Sequence, residues 1–175
     1  MATCYNIDRQ TAPTEARKLF GETKPDKMRE STTEIARLIR EDIKAAKKAG
    51  LLPKVLKVSV RRDYFAGGSS IDCMITKAPF LCINPDYLAE YDANPHQFGS
   101  YEAKPLTVAC YRALQVIQLI VDQYNYDNSD SMTDYFDVNF YDHVSIHWEY
   151  ESNEKAQIRA AQAQGLNIKP REMAA

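Results

Sequence analysis

At 175 residues, 45% hydrophobic and 26% charged, the chain is long enough to bury a core and too ordinary in composition for wholesale disorder. Its longest apolar run, LQVIQLIV, is broken by glutamines and too short to span a bilayer. The first twenty residues hold no apolar signal segment, so the expectation is a cytoplasmic protein with no membrane partner.

The net charge of −2 averages two unlike regions. Residues 1–62 carry 15 Lys and Arg against 8 Asp and Glu, whereas residues 113–154 carry 9 Asp and Glu and no Lys or Arg. Such asymmetry marks interaction surfaces, or halves that attract each other in the fold.

In chain order, residues 1–30 read as a polar extension with one brief amphipathic piece, PTEARKLF. Ser31 and Glu34 have capping-box spacing at the start of STTEIARLIREDIKAAKKAG. Ile35, Leu38, Ile39, Ile43 and Ala46 then share one helical face, which Gly50 and Pro53 close. Leu56, Val58 and Val60, then Ile71, Cys73 and Ile75, alternate with polar residues around Gly67-Gly68, which predicts a β-hairpin. Pro79 to Pro105 is irregular, with a short helix near PDYLAEY. A helix from Pro105 to about Tyr124 has only a thin polar stripe of Arg112, Gln115, Gln118 and Asp122, so it is expected to be buried on most sides. From Val138 to Tyr150 apolar residues keep one parity except at Asp142, which predicts one long third strand bent or bulged there. A helical NEKAQIRAAQAQG and a frayed tail occupy 152–175.

Chemistry-bearing motifs are few. Cys4, Cys73, Cys82 and Cys110 include no CxxC pair and read as reduced, structural thiols. His143 and His147 sit four residues apart on a predicted strand, about 13 Å, too far to share a metal ion. The stretch YNYDNSDSMTDYFDVNFYD fails the EF-hand pattern, because Met132 and Val138 fall where a glycine and a bidentate acid belong. A looser cation cage from Asp127, Asp130 and Asp134 competes with simple turn capping.

RRDYFAGGSS sets Arg61 and Arg62 near Gly67, Gly68 and Ser69. It reads as a hairpin loop, with anion or nucleic-acid binding as the functional alternative. No nucleophile elbow or cofactor fingerprint is present, and the expectation is a non-enzyme without metal or cofactor. The most distinctive surface is acidic: Asp127, Asp130, Asp134 and Asp137, with Glu149 and Glu151 on the predicted strand, facing a basic partner protein.

KVSVRRDYFAGGSSIDCMI followed by YNYDNSDSMTDYFDVNFYDHVSI, after a TEIARLIREDIKAA helix, resembles a large polyvalent protein-associated domain of phage, plasmid and conjugative-element proteins. The resemblance covers roughly residues 31–150. It rests on Gly67 to Asp72 and on Tyr124, Asn125, Asp127, Ser129, Asp130, Thr133, Asp134, Tyr135 and Phe136. It implies a compact α+β module of mobile-element origin and no particular reaction.

The expected fold is thus α+β: a small antiparallel sheet, made of a hairpin and a long bent third strand, covered by an amphipathic helix and a mostly buried central helix. Residues 31–151 form the domain, between the extension and the tail. The expected function is a non-enzymatic interaction module that engages or inhibits a host defence protein through its acidic surface. The alternative is a nucleic-acid-binding accessory domain using the basic first helix with Arg61 and Arg62. A metal-dependent enzyme at the aspartate cluster is a third reading.

Overall fold

The computed structural model describes residues 12–93, 106–128, 132, 137–166 and 168. Cys4, Pro105, Ser129, Asp130, Thr133, Asp134, Tyr135, Phe136 and the tail beyond 168 lie outside the described residues.

The N-terminal segment forms α1 (Thr14–Phe20), which packs against α4 (Val108–Asp122) and buries Ala16 and Phe20. Helix α2 (Thr32–Lys48) begins where Ser31 Oγ accepts a hydrogen bond from Glu34 N–H at 3.3 Å. The Glu34 carboxylate goes to Arg37, at 2.9 and 2.6 Å, instead of returning to Ser31 as in a reciprocal box. Ile35, Ala36, Ile39, Ile43 and Ala46 make the buried stripe.

Strands β1 (Lys57–Phe65) and β2 (Gly68–Lys77) form an antiparallel hairpin from Val58 opposite Ile75 to Phe65 opposite Gly68. Gly67 turns it with φ 99°, a conformation that other residues rarely adopt. Strand β3 (Tyr141–Ile146) pairs with the other side of β2 and runs parallel to it, from Ser70 opposite Tyr141 to Ile75 opposite Ile146. The α+β class with a small, helix-covered sheet holds, but the sheet is mixed, in order β1-β2-β3, and not wholly antiparallel. Alternation tells which face a residue occupies and carries no information on direction. Helices α3 (Pro85–Ala93) and α4 lie in the connection between β2 and β3, which gives the length a parallel crossover needs.

The third strand is also shorter than its pattern. It ends at Ile146, and α5 (Trp148–Ala163) starts two residues later, so Trp148, Glu149, Tyr150 and Glu151 are helical. No bulge is needed at Asp142, which stays in register opposite Ile71. Its carboxylate is satisfied instead by Gln118 Nε2 and Asn125 Nδ2, at 2.8 and 2.9 Å.

One hydrophobic core runs from Ala12 to Ile158 and joins the helices at both ends of the chain to the sheet. Helix α4 is its centre, capped by Thr107 and burying ten of its fifteen residues. Helices α2 and α4 contact the sheet on the side of Val60, Ile71, Cys73, Ile75, Val144 and Ile146. That packing leaves the opposite face of the sheet free of α2 and α4.

Candidate interaction face of the sheet

Successive strand residues project to opposite faces. The register therefore puts Ser59, Arg61, Asp63 and Phe65 of β1 on the outer face, with Gly68, Ser70, Asp72, Met74 and Thr76 of β2 and Tyr141, His143 and Ser145 of β3. Arg61, Asp63, Phe65, Tyr141 and His143 are exposed. The rings of Phe65 and Tyr141 have their centroids 5.8 Å apart and are each about half exposed, at 49% and 48%. Single exposed apolar side chains are ordinary, whereas two rings in contact make a patch.

The hairpin holds that patch in place. A Cβ built on Gly68 would stand 3.2 Å from Tyr141 Cε2 and 3.3 Å from Phe65 Cε2, so both rings close over the bare backbone there. Asp63 accepts a hydrogen bond from Tyr64 N–H at 2.9 Å. Neither Asp63 nor Asp72 forms an ion pair among the described residues.

The acidic stretch reaches the same end of the sheet. Residues 124–128 and 137–140 run as two antiparallel arms, joined by a bridge between Asp127 and Val138. Asn139 N–H donates to Tyr126 O at 3.1 Å, and Asn128 N–H to Asp137 O at 2.8 Å. Asn125 acts as a substitute strand residue: its Nδ2 donates to Phe140 O at 3.0 Å and its Oδ1 accepts from Phe140 N–H at 3.4 Å. Asn139 Nδ2 donates to Tyr124 O at 2.8 Å. Asp137 accepts from Tyr126 Oη at 3.2 Å and so is partly engaged within this neck.

Other sequence-predicted site residues are dispersed. Glu149 and Glu151 lie in the first turn of α5, beyond the far end of β3. Six strand residues put them about 17 Å or more from Asp127 and Asp137, so the acidic row predicted along one strand is not one patch. Glu151 is moreover paired with Lys155 at 2.9 Å. Arg61 and Arg62 project to opposite faces, and the Arg62 guanidinium lies 5.0 Å over the Tyr64 ring. They do not converge with Gly67, Gly68 and Ser69 into an anion cradle.

Three of the five basic residues of α2 are engaged within the fold, whereas Lys44 and Lys48 are exposed. Arg37 pairs with Glu34 and Glu41, Arg40 donates to Val60 O at 2.6 Å, and Lys47 donates to Leu56 O at 2.6 Å. Val60 O belongs to the open edge of β1, so Arg40 also blunts that edge against strand addition.

The three described cysteines are buried. Burial first, then the charges of Asp142 and Asp72, push the Cys73 thiol up to about 12. The Cys82 thiol is raised by its hydrogen bond with Cys110 and by burial. Thiols kept protonated and away from solvent are poor nucleophiles and poor metal ligands. Among the described residues no three His, Cys, Asp or Glu side chains converge as metal ligands. A shallow cavity of about 310 Å³ between α3 and the end of α5 is lined by Pro85, Asp86, Gln162, Gly165, Leu166 and Ile168 and joins none of these groups. No helix among the described residues is long and apolar enough to cross a membrane.

Sequence reading pointed to the hairpin and to Asp127 and Asp137 but missed Asp63, Phe65, Asp72 and Tyr141 as neighbours. The signal present was a Gly-Gly flanked by aromatic residues; the pairing partner of β2 was the missing information. Comparison with protein-family models, curated proteins and solved structures finds no match to the chain.

Proposed function

We propose that the chain is a non-enzymatic interaction module that engages a protein with a basic surface through the hairpin end of the outer sheet face. The observation that carries this reading is the half-exposed Phe65–Tyr141 pair, closed over Gly68 beside Asp63 and Asp72, neither of which forms an ion pair among the described residues. Asp127 and Asp137 stand at the same end of the sheet. On the outer face Asp63 and Asp72 flank one exposed guanidinium among the described residues, that of Arg61 in register opposite Asp72, and Asp127 and Asp137 add acidic charge at the same end of the sheet. The balance favours a cationic protein and repels a phosphate backbone. An exposed aromatic patch on a sheet face suits a protein better than a small molecule, which is usually taken up in a concave site. The resemblance to domains of mobile-element proteins supports a host protein, such as a defence component, as the partner.

The test uses the immobilised chain and the variant Asp63→Asn/Asp72→Asn against nuclease-treated bacterial extract, with melting curves for both. Recovery of a basic protein by the wild type and its loss from the folded variant is the expected result. Recovery that needs intact nucleic acid, or that the variant leaves unchanged, overturns the reading.

A further inference from the structure

We infer that the group recognised at this face is an arginine guanidinium of the partner protein, laid on the Phe65 and Tyr141 rings; this rests on the basic-partner reading above. The rings leave aromatic surface exposed, about half of each residue, with their centroids 5.8 Å apart and their planes inclined by 39°. A planar guanidinium stacks on such faces and forks to a carboxylate, whereas an ammonium is a compact, strongly hydrated charge. Acceptors stand on the side of the rings away from the turn, with Arg61 and His143 in register on either side of Asp72. Asp63 is two residues from Phe65 along β1, and Asp72 is diagonal to Tyr141 across β2 and β3, each about 7 Å away by strand geometry. The opposite face of this hairpin already shows the arrangement internally, with the Arg62 guanidinium 5.0 Å over the Tyr64 ring. Closure of both rings over Gly68 fixes the platform before binding and reduces the ordering cost of association.

The experiment is fluorescence anisotropy of the full chain with three labelled probes: oligo-arginine, oligo-lysine of equal length, and oligothymidylate. Oligo-arginine is expected to bind about threefold to fivefold more tightly than oligo-lysine. Phe65→Leu/Tyr141→Leu keeps apolar cover over Gly68 without a π face, and is expected to bring the two peptides to parity. Tyr141→Phe keeps the face and is expected to keep the preference, which separates loss of stacking from loss of fold. Equal binding of both peptides by the wild type overturns the arginine inference and leaves the basic-partner reading standing. Binding of oligothymidylate alone, or of none of the probes, overturns both.

Discussion

Glu154, buried on α5, accepts hydrogen bonds through one carboxylate oxygen from the main-chain N–H groups of Cys82 at 2.8 Å and Ile83 at 2.7 Å. It ties the last helix to the segment that enters α3, far from it in sequence. Burial raises the Glu154 pKa above its ordinary 4.5, against the opposing pull of those two N–H donors.

A folded-state pKa above the unfolded one means that the folded protein binds the proton more tightly. That contribution to stability is fully present below the unfolded value and is lost as pH rises through the folded value. Glu154→Gln is therefore expected to weaken the gain in stability on acidification toward pH 4.5. Glu154→Ala leaves two buried N–H groups unpaired and is expected to cost about 2–4 kcal/mol. Urea unfolding across pH checks both; equal slopes for wild type and Glu154→Gln would sink the assignment.

Asp42 is the second tie. One of its oxygens accepts from Tyr124 Oη at 2.5 Å, Lys24 Nζ at 3.0 Å and Gln123 Nε2 at 3.3 Å. The Tyr124 hydroxyl is raised by burial and by its bond to Asp42. Tyr124→Phe is expected to cost about 1 kcal/mol and Asp42→Ala about 2 kcal/mol. The pair should be non-additive in a double-mutant cycle, with a coupling of at least about 0.5 kcal/mol. Strict additivity in chemical denaturation would show that the contact contributes nothing.

Gly67 and Gly68 are adjacent but should respond differently. Gly67 has open space where a Cβ would go but φ 99°, so Gly67→Ala is strained by its backbone and is expected to cost about 1–2 kcal/mol. Gly68→Ala meets the ring edges of Tyr141 and Phe65 at 3.2 and 3.3 Å, a clash that a shift of a few tenths of an ångström relieves, and is expected to cost less than about 1 kcal/mol. Thermal melts of both variants decide it. The reverse order would mean that the rings cannot yield even by those few tenths of an ångström.

Cys73, Cys82 and Cys110 are each fully buried. They are expected to resist alkylation by iodoacetamide in the native protein and to react at the rate of unfolding. Site-resolved mass spectrometry follows each thiol separately. Rapid native labelling at Cys82 or Cys110 would place that thiol in contact with solvent and reopen a chemical role for the pair.

Asp142 occupies a core-face position at the start of β3, held between Gln118 and Asn125. Asp142→Asn turns one acceptor into a donor facing an amide N–H, and is expected to cost about 1–2 kcal/mol. Hydrogen exchange should quicken at Phe140 and Asn139, whose N–H groups pair the two arms. Unchanged protection there would separate Asp142 from the neck.

What the sequence alone determined is local. The α2 stripe from Ile35 to Ala46, the Ser31 cap, the hairpin around Gly67-Gly68 and the buried character of α4 follow from periods of 3.6 and 2 and from turn chemistry, which neighbouring residues carry in full. Alternation from Val138 to Tyr150 misled because loop, strand and helix residues in succession happened to share one parity. An aspartate within it was accommodated by side chains from α4 and its neighbouring arm, which no local pattern records.

Tertiary structure alone decided the rest. It set the parallel direction of β3, the separation of Glu149 and Glu151 from Asp127 and Asp137, and the meeting of Phe65 with Tyr141 across Gly68. The physical reason is that strand pairing joins residues 65 and 141, far apart in the chain, through the burial of Ile71, Cys73 and Ile75 beneath α2 and α4. Burying that face leaves the hairpin end of the opposite one, with its two rings and Asp63, turned to solvent.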